Sequence, residues 1–204
     1  MSLLPSVGVL ALQGDVDEHV SALEQSGARA FPVKTTSDLE RVDGIVIPGG
    51  ESTTVMKLLD RAGLAETIRR RSHDGMPVWG TCMGMIVTAH EVCSLAQPTL
   101  DLIDISVRRN AFGRQIASAE VALTIPALGK APFPGIFIRA PWIERAGAGV
   151  CVLASLDDHG VLVRQNNVLG SAFHPELTHD RRLHEYFIAM VNENAWIGTQ
   201  AARA

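Results

Sequence analysis

Three cysteines in 204 residues, Cys82, Cys93 and Cys151, make an odd count with no Cys-x-x-Cys pair, which argues against a disulfide framework and for a reducing cytoplasm. Long apolar runs are also missing: none approaches the roughly 20 residues that span a bilayer. Met1 to Pro5 lacks the basic residues and apolar stretch of a signal peptide. The expectation is a soluble protein, neither membrane-bound nor exported. Positive charge is in short supply too. Lys and Arg number 18 against 22 Asp and Glu, a formal net charge of −4, so nucleic acid and anionic membrane find no general attraction. The run Arg69, Arg70, Arg71 reads as a solvated helix face. Internal repeats, linkers and low-complexity stretches are absent, and residues 1–204 read as a single domain. Zinc-ligand spacing is absent from His19, His73, His90, His159, His179 and His184, which read as structural or surface histidines, and no metal is expected. Cys93 and Cys151 lie in apolar stretches and read as buried fillers.

Hydrophobic residues make up 47% of the chain and charged residues 20%, enough to build a core without metal or disulfide support. In the amino half, short continuous apolar runs alternate with helical patterns. Val7 to Leu12 predicts a buried strand, followed by a helix that Asp15 can cap, with Val16, Val20 and Leu23 on one face and Gly27 closing it. Ala30 to Val33 and Gly44 to Ile47 are further strands, with a short helix capped by Ser37 between them. Ser52 is the expected cap for helical stretches at Thr54 to Asp60 and Leu64 to Arg71. Pro77-Val78-Trp79 is a fourth strand, before a helix from about Met83 to Ala89. Such alternation predicts an α/β fold of three layers, a mostly parallel central sheet with helices on both faces, whose ligands sit at the carboxyl ends of the strands. After about residue 100 come β-like runs: Ile103 to Val107, Ser118 to Leu123, Gly135 to Ile138, Val150 to Leu156, Gly160 to Arg164 and Val168 to Phe173. A closing helix, Arg181 to Val191, follows.

Three motifs fall at strand ends. Gly80-Thr81-Cys82-Met83-Gly84, between a strand and a helix, has the form of a nucleophile elbow. There a helix N-terminus favours thiolate over thiol, and the Met83 N–H is aimed where an oxyanion would form. Taken alone, the motif equally fits a tight turn carrying a buried thiol. His174-Pro175-Glu176 supplies what a nucleophilic cysteine needs: a base, and two residues on, a carboxylate to orient it. Pro48-Gly49-Gly50-Glu51-Ser52 has glycines that let backbone N–H groups approach a ligand, and without Walker spacing it reads as a nest for a carboxylate or oxyanion.

These three stretches resemble the signatures of class I (triad) glutamine amidotransferases, a flavodoxin-like fold. Val7 to Gly14, Gly49 to Thr54, Arg109-Asn110-Ala111-Phe112-Gly113-Arg114-Gln115, Phe137-Ile138-Arg139-Ala140-Pro141 and Phe173 to Thr178 are more narrowly similar to glutaminase subunits of pyridoxal 5′-phosphate synthases. The resemblance implies a glutaminase that makes ammonia from L-glutamine through Cys82, His174 and Glu176 and passes it to a synthase (lyase) subunit in a hetero-oligomeric complex. Pyridoxal 5′-phosphate would be product, so no cofactor is expected. By position, Gly50, Glu51, Ser52, Arg109, Ile138 and Arg139 would hold glutamine, and the N–H groups of Gly50 and Met83 would form the oxyanion hole. The Gln13-Gly14 loop would lie beside the site and rearrange when the partner docks. Met83 departs from the alanine usual in that family. A triad glutaminase of another pathway and a small cysteine hydrolase remain alternatives on these residues.

Overall fold

The computed structural model describes residues 4–110 and 118–201. The amino half runs β1 (Ser6–Leu10), α1 (Val16–Gln25), β2 (Arg29–Val33), α2 (Thr36–Leu39), β3 (Gly44–Ile47), α3 (Ser52–Arg61), α4 (Leu64–His73), β4 (Val78–Thr81) and α5 (Met83–Thr88). β1, β3 and β4 are buried at every position, as uninterrupted apolar runs require of strands covered on both faces. The second half supplies β5 (Ala89–Val92), β6 (Ile103–Arg108), β7 (Ser118–Leu123), β8 (Phe133–Ile138), β9 (Trp142–Ala146), β10 (Cys151–Leu156), β11 (His159–Gln165), β12 (Val168–Ser171) and α6 (Arg182–Ala201).

One sheet takes the order β2-β1-β3-β4-β12-β11-β9-β6-β5, with β10 paired on β11, while β7 and β8 form a separate hairpin. From β2 to β12 every pair is parallel; β11 and β9 extend the sheet antiparallel. Alternate residues of the parallel strands feed two cores, one per face. Val46 and Trp79 join one with Leu23 of α1 and Leu183 and Phe187 of α6. Ile45, Ile47 and Val78 join the other with Leu39 of α2, Leu59 of α3 and Ile68 of α4. The three-layer arrangement follows from this alternation.

The order β1-β3-β4-β12 has a direct consequence for chemistry. Neighbouring parallel strands end at the same edge, so the loops after β1 (Gln13-Gly14), β3 (Gly49-Gly50), β4 (Cys82) and β12 (His174) lie side by side. The register Gly170↔Gly80 and Ser171↔Thr81 sets the last two at matching height.

Several local expectations need correction. Thr35, not Ser37, caps α2, in a reciprocal box with Asp38. Glu51, not Ser52, caps α3, its Oε2 accepting from the Thr54 N–H at 2.8 Å. Asp15 stands at the cap position of α1 but makes no side-chain cap bond. α5 stops at Thr88, and Ala89–Val92 becomes β5 by pairing with β6. The arginine run is not simply solvated: Arg71 donates to the carbonyls of Leu39 and Val42, and Arg69 to those of Thr99 and Leu100, strapping α4 to flanking segments. Cys93 is half-buried and Cys151 exposed, so neither is a buried filler. Among the described residues no helix is long and apolar enough to cross a membrane.

Candidate active site

Cys82 joins β4 to α5 with φ 50° and ψ −107°, a left-handed φ that costs a non-glycine residue about 1–3 kcal/mol and is tolerated where the surroundings impose it. Here they do. The Cys82 N–H is held by the Ser171 carbonyl at 2.7 Å, and the flanking glycines allow backbone to meet backbone. A Cβ on Gly80 would strike the Gly84 carbonyl, and one on Gly84 would strike the carbonyl of Ile47. The side chain therefore stands at the N-terminus of α5, whose first N–H, that of Met83, has no intrahelical acceptor. Sγ lies 3.9 Å from the Ile138 carbonyl oxygen.

His174 follows β12, its backbone N–H donating to the Ile136 carbonyl of β8 at 2.8 Å. Its Nδ1 donates to Glu176 Oε1 at 2.6 Å, and both side chains are buried. A carboxylate only accepts, so this bond places a proton on Nδ1 and leaves Nε2 as the nitrogen for the hydrogen bond between His174 and Cys82. Burial works to lower the His174 pKa, but the bonds and charges of Cys82 and Glu176 outweigh it and push the imidazole up to about 10. Burial raises the Glu176 carboxyl above the usual carboxylate range, outweighing the bond and charge of His174 that pull it down. The three side chains form a row: thiol, imidazole, carboxylate.

A cavity of about 410 Å³ opens on this row. Its lining includes Cys82, Met83 and His174 together with Gly50, Glu51, Ser52, Arg109, Ile138 and Arg139, so the residues singled out in the sequence converge here, with Glu176 behind His174. Residues 111–115, the rest of the Arg109–Gln115 stretch, lie outside the described residues. Arg109 bonds Glu51 Oε1 and Gln97 Oε1, each at 3.2 Å, which aims a guanidinium at the cavity. A bond from the Thr53 hydroxyl, opposed by burial and helped by the Thr54 N–H, holds Glu51 down at about 2. Arg139 is exposed at a φ of 46°. The Gln13 amide oxygen accepts from the Glu51 N–H at 3.1 Å, bracing the glycine turn.

Sequence reasoning missed two participants. Asp15, expected to cap α1, instead puts Oδ2 3.6 Å from His174 Nδ1 and lines the cavity; its place directly after the Gln13-Gly14 loop was the available signal. Gln97 anchors both Ser52 and Arg109, and nothing in its sequence neighbourhood marks it. Asp15, His174 and Glu176 also bring one potential metal-ligand atom each within 4.8 Å of one another. His174 Nδ1 and Glu176 Oε1 are already committed to each other, so the cluster reads as hydrogen bonding.

The His174 imidazole, raised to about 10 by its bonds and charges, is expected to stay protonated well above neutrality. Titration of the His174 ring followed by ¹⁵N NMR from about pH 6 to 10.5 checks this, and a midpoint near 7 would overturn it.

A family model for the SNO glutamine amidotransferase family matches residues 9–193. The pyridoxal 5′-phosphate synthase subunit PdxT of Streptomyces coelicolor is 51% identical over 196 residues, 95% of this chain and 97% of that protein. The protein of the same name from Mycobacterium leprae is 51% identical over 193 residues, 92% and 97% of the two chains. A crystal structure of a glutamine amidotransferase superposes with a TM-score of 0.87 at 47% identity, covering 91% of this chain and 98% of that one. A Thermoplasma acidophilum protein described as a GMP synthase subunit, 15% identical with a TM-score of 0.71 over 98% and 100% of the chains, shares the fold. On the family match, the identities and the coverage alike, this chain belongs to the SNO glutamine amidotransferase family.

Proposed function

We propose that the whole chain, residues 1–204, acts as one glutaminase domain. It hydrolyses L-glutamine to L-glutamate and ammonia and delivers the ammonia to a synthase subunit that builds pyridoxal 5′-phosphate, in a cytoplasmic hetero-oligomeric complex. The observation that carries the reading is the Cys82 elbow at φ 50° beside a His174–Glu176 pair bonded at 2.6 Å. The name borne by relatives at 51% identity supports the pathway.

The reaction follows from the row of side chains. Cys82 thiolate attacks the carboxamide carbon of glutamine, and the N–H groups of Gly50 and Met83 receive the oxyanion. As the C–N bond breaks, His174 gives its proton to the departing nitrogen, releasing ammonia and leaving a glutamyl thioester on Cys82. Water then adds to the thioester, His174 takes its proton, and the tetrahedral adduct collapses to glutamate and thiolate. Glu176 holds the imidazole in the Nδ1–H tautomer throughout.

Gly50, Glu51, Ser52, Arg109, Ile138 and Arg139 hold glutamine, with a guanidinium for its α-carboxylate. Arg109→Ala is expected to raise KM for glutamine about tenfold or more, the worth of a hydrogen bond to a charged group, with a smaller effect on kcat. The bond from the Glu51 N–H to Gln13 couples the loop after β1 to the glycine turn, which supports a site tuned by a partner docking there. The deciding experiment is glutamate release from glutamine with and without the pyridoxal 5′-phosphate synthase lyase subunit. Release that rises with that partner is the expected result. Release stimulated only by another synthase, or by none while the free chain cleaves peptides, would overturn the reading.

A further inference from the structure

Behind the Cys82–His174–Glu176 row lie three polar side chains at 0% exposure that the mechanism does not use: His19 of α1, His184 of α6 and Thr81 at the end of β4. Packing against Trp79, whose ring centroid is 5.8 Å from that of His19 and 5.0 Å from that of His184, would account for two flat rings. It would not account for their nitrogens, which cost free energy when buried without partners. Those nitrogens form a chain. His184 Nε2 is 3.4 Å from His19 Nδ1, and His19 Nε2 is 3.2 Å from Thr81 Oγ1 and 3.3 Å from Glu176 Oε2. Glu176 Oε2 and His184 Nδ1 are enclosed and make no well-formed hydrogen bond among the described residues.

The proton positions follow from elimination. With its proton on Nδ1, His19 could accept from the Thr81 hydroxyl at Nε2 but would turn that lone pair toward the Glu176 carboxylate, and His184 would carry an Nδ1–H for which no acceptor is found among the described residues. With its proton on Nε2, His19 accepts from His184 Nε2–H and points its own N–H into the gap between Thr81 Oγ1 and Glu176 Oε2. Of the two imidazoles, the unmet group is then a lone pair on His184 Nδ1, a smaller penalty than an orphaned donor.

We propose that His19, its tautomer set by His184, is a positioning residue for Glu176: its Nε2–H serves the carboxylate oxygen that His174 leaves free, keeping Glu176 ionised and turned toward the imidazole. The inference rests on the triad reading given under Proposed function. The surroundings favour it. Glu176 faces His174 on its own segment, Asp15 and His19 from α1, and Cys82 through His174; β8, packed on the same turn, brings no titratable side chain. Asp15 opposes ionisation of Glu176, which leaves His19 as the donor from α1. Burial, with the charges of His184 and His174 adding, drives His19 well below the usual histidine range. Burial, with Arg181 adding, brings His184 down to about 3. Both rings are therefore neutral at working pH and act as hydrogen-bond relays.

The test is glutamine hydrolysis by the chain together with its synthase partner. His19→Leu removes the donor at similar volume and is expected to lower kcat about 10- to 100-fold, the loss usual when an outer hydrogen-bond partner is removed, with KM within about twofold. Its acid limb should move up by about one pH unit, because Glu176 then protonates more readily. His19→Gln, whose amide N–H reaches the position of Nε2, should recover most of the rate and return the limb. A His19→Leu chain with wild-type rate and limb would overturn the proposal, as would a Gln variant that falls as far as Leu with no shift of the limb. Should either variant fail to fold, ¹⁵N-histidine NMR of the unaltered chain decides: an Nε2–H tautomer for His19 is expected, and an Nδ1–H tautomer overturns it. Cys82→Ala run alongside separates the two claims. Its activity would break the triad reading, whereas an inactive Cys82→Ala beside an unaffected His19→Leu breaks this proposal alone.

Discussion

Replacing Cys82 by alanine is expected to lower kcat/KM for glutamine by about four orders of magnitude or more, since members of a nucleophile–base unit act together and removing the nucleophile removes most of what the unit supplies. The fold should hold. Among the described residues the hydrogen-bond partners of Cys82 Sγ are the Ile138 carbonyl, at a long 3.9 Å, and His174, so no strong structural bond is lost with the sulfur. The backbone strain at φ 50° is already present and alanine retains it. Cys82→Gly should be equally inactive yet melt at or above the wild-type temperature, because glycine relieves the left-handed φ. Melting temperature and glutamate release measured on the same preparations check both statements. Residual hydrolysis by a folded alanine variant within tenfold of wild type would falsify the assignment of Cys82 as nucleophile.

The sequence carried the parallel half of the fold and the strand-end motifs, and the reason is local. Val7–Leu10, Gly44–Ile47 and Val78–Trp79 are apolar on both faces, and each is followed within a few residues by glycine, so the chemistry of strand and stop lies within a few residues of itself. What it did not carry depends on contacts between distant segments. Ala89–Val92 continues what reads as a helix, and becomes β5 because Ile103–Val107 lies alongside it; Trp142–Ala146 becomes β9 because β6 and β11 flank it. Helix caps failed by one or two residues where two polar candidates compete. Ser52 could have capped α3, but the Glu51 carboxylate does so, and the Ser52 hydroxyl turns to Gln97.

The site shows the same division. Cys82, His174 and Glu176 were legible because elbow and His-x-Glu spacing fix them within short windows. Gln97, His19 and His184 were not, because their importance comes from what lies across from them. His19 and His184 are separated by 165 residues and meet only because α1 and α6 cover the same face of the sheet. A histidine without metal spacing reads as structural or surface until the carboxylate opposite it is known.

Gly84→Ala is expected to be the most damaging substitution outside the reacting groups. Gly84 is the second residue of α5, and a Cβ there would run into the backbone carbonyl of Ile47 in β3. Ile47 ends β3 and is paired with Gly80 of β4, so moving its carbonyl would disturb the pairing of β3 and β4 directly beside the elbow. Helix α5 must lift instead, opening the seam between Met83 and Val87 and the core around Ile47. Overpacking of this kind costs typically 1–3 kcal/mol where side chains can yield; against rigid backbone about 3 kcal/mol or more is expected, a fall in melting temperature of roughly 6–12 °C for a chain of this size. Activity should fall with it, since lifting α5 displaces the Met83 N–H and reorients Cys82. Gly49→Ala provides the contrast. There the added carbon would sit 2.7 Å from Cε1 of the His174 ring, so a side chain rather than the sheet yields. Its expected signature is a near-normal melting temperature with a large loss of kcat, as His174 is pushed off line between Cys82 and Glu176. Thermal melts and glutamate release on the two variants separate a glycine that holds the elbow against the sheet from one that leaves room for the base. Equal melting behaviour in both would remove the distinction and with it the claim that α5 is pinned to β3 through Gly84.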